Sequence, residues 1–166
     1  MMRPLLLAAL LALTACATIE RGPSLRYADA ASRGAWSQLL AGRPSQEQVT
    51  RATDDWTAAL RDSFGCGVPI RDTINAGLAG ALELAAMNAA ASGGGEREVR
   101  DGVARYVGQL AGMALSRRER ASDDRCNMLA AWAPRVAADG REAVARARRN
   151  GLMDEDYGVL LDLLGR

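Results

Sequence analysis

The stretch 70-IRDTINAGLAGALELAAMNAAAS-92 decides the fold. It contains no proline, is dominated by alanine and leucine, and is far longer than the strand length of about 5–6 residues. At 100° per residue, Ile70, Ile74, Leu78, Ala81 and Ala85 fall in one narrow stripe, which predicts a helix over residues 70–92. Ser92-Gly93-Gly94-Gly95 then breaks the chain. A second long helix is predicted over residues 96–120, with Val99, Val103, Tyr106, Leu110 and Met113 on one side and Ala104, Gly108, Ala111, Gly112 and Leu115 on the other. Being apolar nearly all round between Tyr106 and Leu115, this helix is expected at the centre of the molecule.

The same periodicity extends in both directions. A helix over residues 25–41, capped by Ser24, carries Leu25, Ala28, Ala35, Trp36, Leu39 and Leu40 on its apolar side, and Gly42-Arg43-Pro44 ends it. Ser45 and Gln48 form an S-x-x-Q capping box that opens a helix to Phe64, with Val49, Ala52, Trp56, Leu60 and Phe64 as its stripe and Gly65 as its stop. Downstream, Ser122-Asp123-Asp124 caps a helix through Trp132, which Pro134 limits or kinks. A further segment over residues 135–149 ends in Arg146, Arg148, Arg149, Asn150 and Gly151, and Asp154 starts a terminal helix with Tyr157, Leu160, Leu161 and Leu164. No stretch alternates apolar and polar residues or concentrates Val, Ile, Tyr and Phe as strands do.

The first twenty residues, MMRPLLLAALLALTACATIE, differ in kind. Arg3 precedes an apolar run over residues 5–13, too short to span hydrocarbon, which takes roughly 20 residues. A cationic start, a short apolar centre and small residues after it describe an export signal. Leu13-Thr14-Ala15-Cys16 resembles the lipobox of bacterial lipoproteins. That resemblance covers the signal alone and implies that Cys16 receives a diacylglyceryl group, becomes the mature N-terminus and anchors the protein to a membrane. Ala17 in place of the aspartate that retains enterobacterial lipoproteins in the inner membrane favours the periplasmic face of the outer membrane. The competing site is Ala15-Cys16-Ala17, an A-x-A pattern whose cleavage would leave a soluble protein. The lipobox reading is preferred because a cysteine has no other evident reason to sit in a leader. The expected organisation is a signal peptide over residues 1–15, a lipidated N-terminus and tether over residues 16–23, and a single domain over residues 24–166.

With Cys16 assigned to the anchor, Cys66 and Cys126 remain as a pair in an oxidising compartment, and a disulfide between them is expected. The fold class that follows is all-α, a small bundle of about five to seven helices with one disulfide. Two acyl chains make attachment stable where one is marginal. The tether, at about 3.5 Å per residue, keeps the domain within roughly 25 Å of its anchor.

Charge and composition narrow the function. The net charge is +1, and loss of Arg3 with the leader balances the side chains of the remainder. The chain has no histidine, and all of its cations are arginine. Ser-His-Asp and Cys-His nucleophilic sites, His-ligated zinc and lysine Schiff bases are therefore excluded. No cofactor, metal or nucleic-acid partner is expected, the last because no aromatic residues interleave the arginines. The EF-hand pattern fails at Asp154-Glu155-Asp156, whose acids suit a helix start instead.

Four features remain. Glu83 is the only charge between Thr73 and Ser92, and a carboxylic acid in an apolar pocket is how helical muramidases keep a general acid protonated. On the helical wheel, however, it lies opposite Ile74, among Ala76, Ala79 and Ala90, and is expected to face water. Gly108 and Gly112 form a G-x-x-x-G, and Gly77 and Gly80 provide comparable small residues in the preceding helix. Internal packing of the two helices is the preferred reading over a partner-binding face. Arg117, Arg118 and Arg120, and later Arg146, Arg148 and Arg149, could touch anionic lipid headgroups, but they sit near helix C-termini, where cations complement the helix dipole, and that reading is preferred. Trp36, Trp56 and Trp132 are expected to fill the core. The function these features support is a non-enzymatic binding or assembly factor in the cell envelope, acting on an envelope protein within reach of its anchor. The alternatives are a peptidoglycan-acting enzyme using a carboxylate such as Glu83 and a carrier of a small apolar ligand.

Overall fold

The computed structural model describes residues 24–116 and 119–157. Cys16 and the rest of the expected leader and tether, Arg117, Arg118 and most of the expected C-terminal helix lie outside the described residues. The described residues form six helices and no strands. They are α1 (Arg26–Ser32), α2 (Trp36–Ala41), α3 (Gln46–Gly65), α4 (Ile70–Ser92), α5 (Glu96–Leu115) and α6 (Asp123–Arg149).

The first helix of the sequence reading is two. Gly34 takes φ +69°, a left-handed conformation that costs little only for glycine. The amide of Ala35 then bonds Ala30 O at 2.9 Å and that of Gly34 bonds Ala31 O at 2.9 Å, closing α1 with a Schellman turn. Ser24 does not cap α1, whose N-cap position is Leu25. By contrast, the box that opens α3 is formed as expected, with Gln48 N–H donating to Ser45 Oγ at 3.2 Å and Ser45 N–H to Gln48 Oε1 at 2.8 Å.

The centre of the bundle is α4, not α5. Every residue from Ala76 to Ala86 is buried, because α5, α6, α3, α1 and α2 all pack against this one helix. Alanine and glycine make such crowding feasible by letting neighbouring backbones approach closely. The helix α5 buries only Val99, Gly102, Val103, Val107 and Leu110, and leaves Leu115 76% exposed. The arginines and acids on its other side keep it at the surface.

Residues 123–149 also differ from expectation, forming one helix that runs through Pro134. Leu129, Trp132, Ala133, Val136, Gly140, Ala143 and Ala147 are buried at intervals of three and four. One continuous apolar stripe thus packs both halves and outweighs the lost backbone hydrogen bond. Trp56 of α3 and Trp132 of α6 meet edge to face with ring centroids 5.3 Å apart, while Trp36 is only partly buried. The disulfide joins Cys66 to Cys126, as expected from the sequence.

Candidate functional site

The expectation that Glu83 faces water is wrong. Its residue exposure is 3%, and its carboxylate points at the start of α1. Oε2 accepts a hydrogen bond from Ala28 N–H at 2.7 Å, and the Tyr27 amide contributes a second interaction. The first amides of a helix have no partner within it, and Leu25 offers no side-chain oxygen. Glu83 therefore caps α1 from another helix, taking the donors at N2 and N3 that a local Ser or Asp would ordinarily satisfy. Burial pushes its pKa up to about 8, against the opposing pull of the Ala28 and Tyr27 amides and the Arg26 guanidinium. Desolvation outweighs these pulls because a buried carboxylate loses its hydration shell.

The face opposite the Ile74 stripe is rich in alanine, and here that marks close helix packing instead of solvent. The missing cap at Leu25 is the second sequence signal for an acid supplied from elsewhere. Tyr27, to which the sequence assigns no role, belongs to the same corner. It is 5% exposed, its hydroxyl donates to Gly42 O at 2.6 Å, and Arg26 lies 4.6 Å over its ring.

The four glycines do not share one face. A Cβ on Gly77 would come 2.6 Å from Leu110 Cδ1 on α5, and one on Gly80 would strike the Trp56 ring. Gly108 and Gly112 have nothing within 4 Å of that position and are exposed. The contact between α4 and α5 is made instead by Gly102 against Ala85 and by Leu110 against Gly77.

The grooves of the described surface include one near the end of α5 and one between α4 and α6. The first, of about 510 Å³, is flanked by Arg61, Asp62, Met113 and Arg120. The second, of about 600 Å³, runs along α6 beside the first turns of α4 and is lined by Arg71, Asp72, Asn75, Arg141, Val144 and Arg148. Glu83 lines neither. Among the described residues no group of three or more acids or cysteines is placed to hold a metal ion, and no helix is long and apolar enough to cross a membrane. Arg146, one of the clustered cations, is fully engaged, bonding Asp29 Oδ1 at 2.6 Å, Glu142 and Ser32 Oγ at 3.3 Å.

No protein-family model matches the chain, and no curated protein or solved structure matches it either.

Proposed function

We propose that this protein is a lipid-anchored periplasmic protein of the outer membrane that acts by binding, as a non-enzymatic factor in the cell envelope. The observation that carries the reading is the Cys66–Cys126 disulfide, since a cross-link of this kind persists in exported proteins and is rare where thiols are kept reduced. It agrees with a leader ending in Leu13-Thr14-Ala15-Cys16. The position of Glu83 speaks against the peptidoglycan-cleaving alternative. A general acid must come within hydrogen-bond reach of the bond it protonates, whereas this carboxyl is closed in beneath α1. An apolar-ligand carrier with its cavity between α4 and α5 is disfavoured by the contacts of Gly77 and Gly102 there, which leave no space for a guest.

The test is the intact mass of the native protein extracted from membranes, before and after reduction and alkylation. A chain beginning at Cys16 and carrying acyl mass, with two thiols alkylated only after reduction, supports the reading. An unlipidated chain found in the soluble fraction overturns it.

A further inference from the structure

The groove between α4 and α6 combines features that the fold itself does not require. It presents three guanidiniums, from Arg71, Arg141 and Arg148, against a single carboxylate, Asp72. None of the three arginines forms an ion pair among the described residues. Arg146, on the neighbouring face of the same helix, shows what a structural arginine does here: it takes up Asp29 and Glu142. The Nε of Arg148 is shielded from solvent and has no hydrogen-bond partner. A buried donor on a charged group is costly to leave unmade, and its preferred acceptor is an anion. Guanidinium groups suit the oxygens of a phosphate, which accept paired N–H bonds.

The groove is also placed for a membrane. A Cβ built on Gly140, which lies on its wall, would sit 3.2 Å from the Leu25 side chain. Leu25 directly precedes α1, so the chain enters the domain beside the groove. We propose that this groove binds the phosphate of anionic phospholipid headgroups, so that the domain docks against the bilayer by Arg71, Arg141 and Arg148. The reading of Cys16 as an anchor supplies the membrane but not the contact, which the arginines make on their own.

The experiment separates the two. Cys16→Ser protein cleaved after Ala17, and so free of both acyl chains and the apolar leader, is floated with vesicles of phosphatidylcholine alone and with vesicles containing phosphatidylglycerol. Binding to the anionic vesicles alone is expected, falling as salt is raised. Each of R71Q, R141Q and R148Q should weaken it roughly fivefold, and the triple variant roughly a hundredfold. The exposed Arg97, on α5 and away from the groove, is the control, and R97Q should bind as the parent does. Circular dichroism of each variant establishes that the helices are retained, and R141Q alone, at an exposed position, suffices if the triple variant does not fold. Equal binding to both vesicle types, or equal loss in R97Q, overturns the proposal. So does stabilisation by inorganic phosphate without vesicle binding, which would assign the groove to a soluble phosphate ester.

Discussion

Glu83 Oε2 in the middle of α4 accepts the Ala28 N–H from the first turn of α1 at 2.7 Å, across 55 residues of sequence. This one contact ties α1 to the most buried helix of the bundle. It also places an ionisable group where its charged form is disfavoured, with a pKa of about 8 against an ordinary 4.5.

The stability of the protein should therefore depend on pH through this residue. Below 4.5 the carboxyl is protonated folded and unfolded alike; above it the unfolded chain ionises first, so stability falls as pH rises toward about 8 and then levels off. The loss relative to Glu83→Gln is on the order of a few kcal/mol. Glutamine keeps an acceptor for the Ala28 amide but does not titrate. Urea unfolding at pH 5 and pH 8.5 should show the wild type losing stability relative to Glu83→Gln, whereas parallel behaviour would show that Glu83 titrates normally. Glu83→Ala should cost about 2–4 kcal/mol at pH 5, since it leaves buried amides unpaired and a cavity behind.

The sequence reveals periodicity and capping more readily than it reveals which side of a helix has neighbours. The bounds of α4 and the Ser45–Gln48 box follow from local signals, and the Cys66–Cys126 pair from the expectation of an oxidising compartment. A helical wheel misplaces Glu83 because it assigns the side opposite the apolar stripe to water, and for a helix surrounded by others there is no such side. The same error put α5 at the centre, since alanine and glycine look alike on a packed face and on an exposed one. Only the partner helices distinguish Gly80, against Trp56, from Gly108, which faces open space.

That distinction can be measured. Gly80→Ala pushes a methyl into a Trp56 ring that is itself held against Trp132, and should destabilise by about 1–3 kcal/mol despite alanine's better helix propensity. Gly108→Ala meets nothing and should stabilise by roughly 0.5–1 kcal/mol. Thermal melts of the two variants should move in opposite directions. A shift in the same direction for both would mean that the α3–α4 contact is looser than the structure shows.

Arg146 holds the other side of α1, through Asp29 at 2.6 Å, and Asn150 assists by donating to Ser32 O at 2.9 Å. The Arg146 side chain is 21% exposed and that of Asp29 44%, so solvent screens part of the attraction and Arg146→Gln should cost only about 1 kcal/mol. The effect should be local. Hydrogen exchange is expected to accelerate in α1 while α4 keeps the protection of global unfolding, and uniform acceleration across both helices would contradict this.

The disulfide links the loop after α3 to the first turns of α6, with a sequence separation of 60. Closing a loop of that length removes chain entropy from the unfolded state worth about 4 kcal/mol. Around it, Arg125 Nε bonds Asp62 Oδ2 at 3.2 Å, and α3 packs on α6 through Trp56 and Trp132. These contacts do not depend on the cross-link. Reduction should therefore lower the melting temperature substantially without dissolving the helices, and Cys66→Ala with Cys126→Ala should match the reduced wild type. Denaturant titrations of the oxidised, reduced and double-variant proteins would measure the difference. A reduced protein as stable as the oxidised one would show that the unfolded chain is already constrained near these residues, and complete loss of helicity would show that the α3–α6 contact cannot form without the bond.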